Sequence, residues 1–136
     1  MSCIFCKIIK GELPSFKVYE DDCFVGILDI SPSSPGHALL VSKEHSANIF
    51  ESRESAFLAD AFPAAKRLGE KLKATLDCDG MNILQNNGAA AGQTVEHFHV
   101  HLIPRYSGDK VKIEWEHDEP DMSALKILAE KIGGEK

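Results

Sequence analysis

The sequence predicts a single domain that combines several β-strands with a long helical segment, and three patterns in its 136 residues support this prediction. Residues 97–103 alternate histidine with apolar residues, as a strand with two different faces does. Several other short apolar runs, separated by turn-forming residues, predict further strands. Residues 46–76 instead carry apolar residues at helical spacing. The length is sufficient to bury one hydrophobic core, so we expect one domain over 1–136.

Charge and composition argue against several classes of partner. The formal net charge is −6 at pH 7, and lysine and arginine are dispersed along the chain. We therefore expect neither a nucleic acid nor an anionic membrane as a main partner. No apolar stretch reaches transmembrane length and the N-terminus lacks a signal-peptide pattern, so we expect a cytoplasmic protein. In that reducing compartment the four cysteines are expected to be thiols or metal ligands.

The first part of the chain predicts three strands. Residues 16–19 and 23–28 predict a hairpin across an acidic turn. Asp29 to Pro32 interrupts the alternation, and Pro35-Gly36 continues the loop. His37 to Val41 predicts the third strand, which places His37 at its entrance, directly after a rigid turn.

The middle of the chain predicts one long helix and one strand. From about Ser46 to Leu76, apolar residues recur at helical spacing and charged residues cover the other positions. Pro63 lacks an amide hydrogen, so we expect a kink or a break there. Residues 81–85 predict the next strand, with Ile83 pointing into the core.

Two patterns follow Arg105 in the C-terminal part. Val111 to Trp115 alternates like a strand, within an otherwise polar stretch. Asp121 to Ile132 predicts a last amphipathic helix, with Asp121 or Ser123 as its N-cap and Gly133-Gly134 as its end.

The run that alternates histidine with apolar residues is the strongest functional signal in the sequence. If residues 97–103 form a strand, the three histidines share one face and the apolar residues line the other. Histidine is the usual residue of neither a core face nor a solvent face, so we expect a binding or catalytic site. The three residues are His97, His99 and His101.

The segment before this run is rich in glycine and alanine. Residues 86–94 read Asn-Asn-Gly-Ala-Ala-Ala-Gly-Gln-Thr and offer small side chains until Gln93. A ligand can approach such a backbone closely, and its amides can bind an anion. A flexible loop is the alternative interpretation. The position of the loop beside three histidines favours phosphate chemistry.

Two mechanisms fit the alternating histidines. In the first, the histidine face binds a catalytic metal ion. In the second, one neutral imidazole attacks phosphorus and divides a hydrolysis into two steps through a phosphohistidine-type intermediate. The second mechanism needs anion-binding donors, which residues 88–94 could supply.

Cys3-Ile4-Phe5-Cys6 has two functional interpretations. A thioredoxin-like redox motif follows a strand, and nothing before Cys3 supplies one. A structural zinc site needs two further ligands from elsewhere in the chain. The spacing of the two cysteines leaves both open.

Taken together, these segments resemble the histidine triad (HIT) superfamily of nucleotide hydrolases and transferases. The run His97-Phe98-His99-Val100-His101-Leu102-Ile103 resembles its His-φ-His-φ-His-φ-φ signature. The similarity continues in the segments Asp29–Pro32, Pro35–His37, Asn86–Gly88 and Gly92–Val95. The length is similar to the Hint-like branch, whereas the uridylyltransferase branch has proline at the position of Phe98.

The resemblance implies a specific architecture. It implies an α+β, HIT-like fold, in which an antiparallel sheet of about five strands with one long and one C-terminal helix dimerises into a continuous sheet. The domain core is then about 3–105, and 106–136 form a strand and helix extension.

The resemblance also implies roles for individual residues. His99 matches the nucleophile, while His101 and His37 match residues that orient it and approach the phosphate. Asp29 matches the carboxylate that binds ribose hydroxyls, and Thr94 stands where many relatives have serine. The implied catalytic residues are His99, His101, His37 and Thr94. The implied nucleotide-binding residues are Asp29, Ile30, Asn86, Gly92, Gln93, Thr94, His99 and His101.

The implied activity is hydrolysis of purine nucleoside phosphoramidates, such as those of adenosine or guanosine, through a covalent nucleotidyl-histidine. No cofactor is needed for that chemistry, and the implied assembly is a homodimer. Two alternatives stay open, a dinucleoside polyphosphate hydrolase and a nucleotide-binding regulatory protein with incidental hydrolysis.

Some members of the family resemble this chain in combining Cys-x-x-Cys with two further histidines. The resemblance then implies one structural Zn²⁺ bound by Cys3, Cys6, His45 and His97. Such a site would attach the N-terminus to the sheet and hold the start of the histidine strand.

Overall fold

The computed structural model describes residues 3–52 and 56–134, in which five strands form one antiparallel sheet. The strands are β1 (Lys17–Glu20), β2 (Phe24–Leu28), β3 (Ala38–Ser42), β4 (Gly80–Leu84) and β5 (His99–Arg105). Their order in space is β1-β2-β3-β5-β4, so β5 lies between β3 and β4. The predicted α+β class and the antiparallel sheet are therefore confirmed.

Four α-helices accompany the sheet within the described residues. They are α1 (Ile4–Ile9), α2 (Ala56–Ala59), α3 (Ala61–Leu76) and α4 (Met122–Gly133). A single 3₁₀ turn, Ala89–Ala91, interrupts the glycine-rich loop. The sequence patterns did not predict α1, because six residues are too few to show helical periodicity.

The sheet has a buried cluster on each face, because side chains alternate along its strands. On one face α3 supplies the cover, and this cluster includes Phe24, Leu40, Leu68, Val100 and Leu102. Helix α1 packs on the other face, and the cluster there includes Phe5, Val25, Ile27, Leu39 and Val41. Each such fully buried aliphatic or aromatic side chain contributes about 1.5–3 kcal/mol. The histidines of β5 lie on the α1 face, as the alternation predicts, although the strand itself begins at His99.

The long helix begins later than its periodicity predicts. Residues 46–52 form turns, in which the Asn48 carboxamide oxygen accepts from the backbone N–H groups of Phe50 and Glu51, while 53–55 lie outside the described residues. The helical stretch is interrupted at Asp60, not at Pro63 as predicted. Pro63 is the third residue of α3, where backbone N–H groups have no intrahelical partner, so the missing hydrogen costs little.

The turn that precedes β3 requires a glycine. Gly36 has a φ of +89°, a conformation that L side chains rarely adopt. A Cβ at this position would also overlap the Leu76 side chain at the end of α3. The turn therefore packs directly under α3, and it delivers His37 to the start of β3.

Strand β4 forms one edge of the sheet, and this position explains why the prediction for Ile83 is wrong. Ile83 pairs with Leu102 and shares its face, but its side chain is 44% exposed. Together with Ile49 and Phe62 it borders an open apolar groove of about 480 Å³. The sequence predicts the face of the sheet on which Ile83 lies. It does not predict that the helix packed on this face leaves the edge strand β4 uncovered.

The C-terminal part departs from the sequence predictions in one segment. Val111 to Trp115 contains no strand, so the strand predicted from the alternation there is wrong. Helix α4 follows as predicted, and the Asp121 carboxylate accepts from the Ala124 N–H as its N-cap. All of its described residues are exposed. Within the described ranges no helix combines the length and apolar character needed to span a bilayer.

Candidate active site

Three of the predicted catalytic histidines meet where the start of β3 lies beside β5. The register pairs Leu39 with His101 and Val41 with His99. His37 directly precedes β3, and its Nε2 lies 3.0 Å from Nδ1 of His101. The rings of His99 and His101 are 5.1 Å apart, and Phe5 of α1 packs edge-on against His99 at 5.1 Å. The sheet therefore gathers His37, His99 and His101 into one cluster.

A backbone amide sets the tautomer of His37. The Ser33 N–H donates to Nδ1 of His37 at 3.0 Å, so the ring proton of the neutral imidazole resides on Nε2. That Nε2–H faces Nδ1 of His101 at 3.0 Å and Oδ2 of Asp29 at 3.5 Å. When His37 donates to His101, the proton of His101 must lie on its own Nε2. The chain of bonds thus has a fixed direction, from Ser33 through His37 to His101.

A backbone carbonyl fixes His99 in the complementary way. Nδ1 of His99 lies 2.6 Å from the carbonyl oxygen of His97, and a carbonyl can only accept. The ring proton is therefore on Nδ1, and the lone pair of Nε2 is left without a partner among the described residues. An imidazole prepared in this way can act as a nucleophile.

Burial keeps these rings neutral. Desolvation lowers the pKa of His37 and of His99, with the carboxylate of Asp29 acting in the opposite direction. Desolvation and the neighbouring His99 and His37 lower the pKa of His101 to about 4. The unprotonated form, which can attack or accept a hydrogen bond, therefore dominates near pH 7.

Two cavities of about 470 Å³ each meet at this cluster. We call the cavity that His99 lines the α1 cavity, and the one that His37 lines the C-terminal cavity. The α1 cavity has walls from α1 and its following loop, including Phe5, Ile8 and Leu13. The C-terminal cavity has a wall from residues 110–113. Thr94 and His101 line both cavities.

Asp29 and Ile30 lie in the α1 cavity, beside His99. The Asp29 carboxylate is held by the Ser31 N–H, which donates to Oδ1 at 2.8 Å. Ile30 is 83% exposed, so this apolar side chain is available to a ligand. The structure thus brings these two predicted nucleotide-binding residues to the cavity that His99 lines.

The glycine-rich loop is braced from within by Gln93. Its carboxamide oxygen accepts from Gly88 N–H at 2.8 Å, and its nitrogen donates to the carbonyls of Ala47 and Val95 at 2.6 and 3.0 Å. Both amide hydrogens are used, so Gln93 positions the loop and offers no amide hydrogen to a phosphate. Asn86 and Gly92 line the C-terminal cavity instead.

The predicted metal ligands form a separate cluster before β5. Nδ1 of His97 lies 3.2 Å from Sγ of Cys3, and Nδ1 of His45 lies 3.3 Å from Sγ of Cys6. All four ligand atoms lie within 4.8 Å of one another. Zinc with bonds of about 2.0–2.3 Å to nitrogen and sulfur places its tetrahedral ligands roughly 3.3–3.8 Å apart.

The orientation of His97 fits a metal ligand. Its Nε2 lies 2.7 Å from the carbonyl oxygen of Ser42, so the ring proton is on Nε2 and the lone pair of Nδ1 faces the thiols. The two Nδ1 atoms of His45 and His97 approach to 3.0 Å, a distance that needs a proton or a cation between them. Burial lowers the pKa of His97, which favours the neutral ring that metals bind.

Asp29, His37 and His101 also bring three potential metal-ligand atoms together. The Ser33 N–H on Nδ1 of His37 places a proton on Nε2, the atom that faces the other two groups. A metal on this atom would need the opposite tautomer. The cluster is therefore arranged as a hydrogen-bond chain.

Sequence reasoning missed three contributors to these sites. The α1 wall and residues 13–15 were missed because neither carries a polar or periodic signal. Lys110 and Lys112 line the C-terminal cavity, Lys110 from just before the segment predicted as a strand and Lys112 from within it. Ser33 contributes through its main-chain N–H, and the identity of its side chain does not indicate this role.

Comparison with known proteins agrees with this geometry. The family described as the HIT domain matches residues 10–108, which include all five strands and α3. Adenosine 5'-monophosphoramidase HNT1 of Saccharomyces cerevisiae is 43% identical over 132 residues, covering 96% of this chain and 80% of that protein.

Solved structures are similar over nearly the whole chain. SMU.412c from Streptococcus mutans superposes with a TM-score of 0.91 at 42% identity, covering 97% of this chain and 83% of that chain. A Zn-bound histidine triad family protein from Mycobacterium smegmatis has a TM-score of 0.77 at 35% identity, with 98% of both chains covered.

Proposed function

Because the chain belongs to the histidine triad (HIT) family, we propose that it is a nucleotide hydrolase that cleaves purine nucleoside 5'-phosphoramidates through a covalent nucleotidyl-His99. Relatives about 40% identical are named adenosine 5'-monophosphoramidases, which supports the substrate class. The observation that carries the mechanism is the bond from Nδ1 of His99 to the His97 carbonyl. That bond leaves Nε2 with a lone pair, inside a cavity that also holds a ribose-binding candidate.

The reaction divides into two displacements at phosphorus. First, Nε2 of His99 forms a bond to phosphorus while the P–N bond of the substrate breaks, and the amine leaves with one proton taken from solvent. Water then attacks the same phosphorus, the P–Nε2 bond breaks, and the proton lost by water returns to solvent. The products are the amine and the nucleoside monophosphate, with His99 restored.

Several donors can stabilise the charge on the phosphoryl oxygens. The fixed tautomer of His101 offers its Nε2–H, because its Nδ1 accepts from His37. Thr94 adds a hydroxyl at the boundary of the two cavities. Donors that are already oriented before the reaction are worth more than donors that must reorganise. In this scheme His37 is a positioning residue, since it acts through His101.

The nucleoside fits the α1 cavity. The apolar wall of Phe5, Ile8 and Leu13 suits a purine ring, and Asp29 lies where it can accept hydrogen bonds from a vicinal diol. We expect Asp29→Ala to weaken the binding of AMP about tenfold and of 2'-deoxy-AMP much less. Equal losses for both nucleotides would assign another role to Asp29.

Rapid acid quench after mixing with adenosine 5'-phosphoramidate tests the proposal directly. We expect a transient protein adduct that carries one adenylyl group on His99, identified by peptide mass spectrometry. A His99→Asn variant should form no adduct and hydrolyse no substrate while it retains its circular dichroism spectrum. Parallel turnover of a diadenosine polyphosphate distinguishes the alternative substrate class, and tight AMP binding without turnover would instead indicate a regulatory protein.

We further propose that Cys3, Cys6, His45 and His97 bind one structural Zn²⁺. The set of two thiols and two imidazoles is a common structural zinc site, and the Nδ1 of His97 is oriented towards it. Zinc here would tie α1 to the start of β5 and so support the wall of the α1 cavity. The proposed hydrolysis does not need this ion for any step.

The exposed edge of β4 supports the homodimer that the family resemblance implies. This edge strand has unpaired backbone groups and borders the apolar groove of Ile49, Phe62 and Ile83. A second copy that pairs along β4 would extend the sheet and cover the groove. Analytical ultracentrifugation tests this proposal, with Ile83→Glu expected to shift the protein towards the monomer.

A further inference from the structure

We propose that the C-terminal cavity binds the leaving group of the reaction and prefers a leaving group that carries negative charge. Lys110 and Lys112 are the residues that determine this preference. The proposal rests on the proposed function, because it assigns a specificity to the same reaction.

The position of the cavity follows from the geometry of displacement at phosphorus. The attacking and leaving atoms lie roughly in line on opposite sides of the phosphorus. His99 lines only the α1 cavity, whereas Thr94 and His101 line both. A phosphate held at that boundary with its nucleoside in the α1 cavity directs its leaving group away from His99, into the C-terminal cavity.

The charge of this cavity is opposite to that of the whole protein. The chain has 21 acidic and 15 basic residues, yet the ionised side chains that line the cavity are two lysines, Lys110 and Lys112. The other polar groups of the wall are neutral and include Asn86, Thr94 and His37. A local positive charge of this kind attracts an anion and repels a cation.

The two lysines belong to a segment that is anchored at several points. The Arg105 guanidinium donates to both carboxylate oxygens of Asp109, at 2.8 and 2.9 Å, and to the carbonyl of Val111 at 3.2 Å. The backbone N–H of Tyr106 also donates to Asp109, and the Tyr106 hydroxyl donates to the Pro35 carbonyl. These bonds hold residues 106–111 against the body of the protein, so Lys110 lies in the anchored segment and Lys112 follows it directly. Both lysines are exposed and line the cavity.

Arg105 also prevents the neighbouring acid from cancelling the charge of the lysines. The bidentate pair with Arg105 holds the pKa of Asp109 well below its usual range, so this carboxylate stays ionised and paired. The pair is neutral as a whole. The positive charge of Lys110 and Lys112 therefore remains available to a ligand in the cavity.

Two classes of leaving group share the required negative charge. One is an amine that bears a carboxylate, as an amino acid linked through nitrogen does. The other is a phosphate or pyrophosphate linked through oxygen. A matched series of substrates separates them: AMP joined to β-alanine, to β-alaninamide or to 1,3-diaminopropane, together with ATP as a source of pyrophosphate.

We expect the wild-type protein to cleave the β-alanine conjugate with a kcat/KM about fivefold above the neutral amide and further above the cationic amine. The double variant Lys110→Gln/Lys112→Gln should remove this difference, so that the β-alanine conjugate and the neutral amide have equal kcat/KM in that variant. A double variant Lys126→Gln/Lys131→Gln in α4 changes the net charge equally and should behave like wild type. A preference for anions confined to ATP would identify phosphate as the source.

Two results would overturn the proposal. One is a wild-type protein in which the β-alanine conjugate and its neutral amide have equal kcat/KM and in which cleavage of ATP does not depend on Lys110 and Lys112. The other is a preference for anions that persists in Lys110→Gln/Lys112→Gln. If no conjugate is hydrolysed, the proposed function fails, and the charge preference is then measured by calorimetric binding of the same conjugates to His99→Asn protein. Equal affinities there would overturn the preference independently of any turnover.

Discussion

His97 and His99 are two residues apart and both rings are buried, yet we propose different chemistries for them. His97 gives its Nε2–H to the Ser42 carbonyl and turns the lone pair of Nδ1 towards two thiols. His99 gives its Nδ1–H to the His97 carbonyl and keeps the lone pair of Nε2 for the α1 cavity. In each case a backbone carbonyl determines which ring nitrogen carries the proton, and therefore which nitrogen of the imidazole has a lone pair to offer.

The same substitution in the proposed catalytic cluster and in the proposed metal cluster should give the largest difference in kcat. We expect His99→Asn to reduce kcat for adenosine 5'-phosphoramidate by about 10³-fold or more, because the nucleophile itself is lost. We expect His45→Asn to retain most of the turnover, since the side-chain bonds of His45 go to Cys6 and His97. Steady-state kinetics and zinc analysis of both variants check this. Comparable losses of kcat would show that the two groups are not functionally separate.

The orienting bond within the catalytic group should have a smaller effect. His37→Ala removes the donor to Nδ1 of His101, and we expect kcat to fall roughly 10–100-fold with little change in the dissociation constant of AMP. His37→Gln should recover part of the loss, because its side-chain N–H can donate to the same nitrogen. A loss that Gln does not relieve, or one that falls on AMP affinity, would contradict the positioning role.

The metal group should affect stability more than rate. We expect the double variant Cys3→Ser/Cys6→Ser to lose bound zinc and to lower the Tm by about 5 °C or more, while kcat stays within roughly tenfold. Differential scanning calorimetry and metal analysis of protein purified without a chelator give both readouts. Wild-type protein that takes up no zinc would rule out the metal site. Loss of all activity in a folded double variant would give the ion a catalytic part.

The stability of the protein should depend on pH, because the buried histidines and the histidines of the unfolded chain have different pKa values. Burial lowers the pKa of His37 and brings that of His101 to about 4, while unfolded histidine titrates near its ordinary value of about 6.5. Below about pH 6.5 the unfolded chain therefore binds more protons, so the free energy of unfolding falls as the pH drops from 6.5 towards 4. A Tm series in pH should show this slope, and His101→Gln should reduce it.

The lowered pKa values of the catalytic histidines should also appear in the pH profile of kcat/KM, whose acid limb should lie at low pH. We expect kcat/KM to be retained at pH 6, because the catalytic rings stay neutral there. An acid limb centred at or above pH 6.5 would show that the histidines of the free enzyme titrate as in water.

Much of the fold could be predicted from the sequence because it depends on alternation. The strands, the face shared by the histidines and the N-cap at Asp121 all follow from local patterns. The wrong prediction for Ile83 has a different cause, since its exposure depends on what lies across the fold. Ile83 points to the predicted face, but only the sheet order shows that it reaches an uncovered edge.

The candidate site was predictable in its residue types and less so in its bonds. The four metal-binding candidates and the catalytic histidines do come together in space. The family resemblance implied Gln93 as a nucleotide-binding residue, but its amide hydrogens are donated to the carbonyls of Ala47 and Val95. A sequence shows which groups are available for hydrogen bonding, and only the folded chain shows which of them remain free.

Ser33 takes part in the proposed chemistry through an atom that its side chain does not contain. Its main-chain N–H sets the tautomer of His37 and, through it, that of His101. An alanine scan would therefore pass over position 33, and most replacements there would leave hydrolysis unchanged. Proline alone removes the hydrogen. The backbone conformation from Pro32 to Gly36 is what positions this N–H. Neither substitution nor comparison of side chains can therefore detect its contribution.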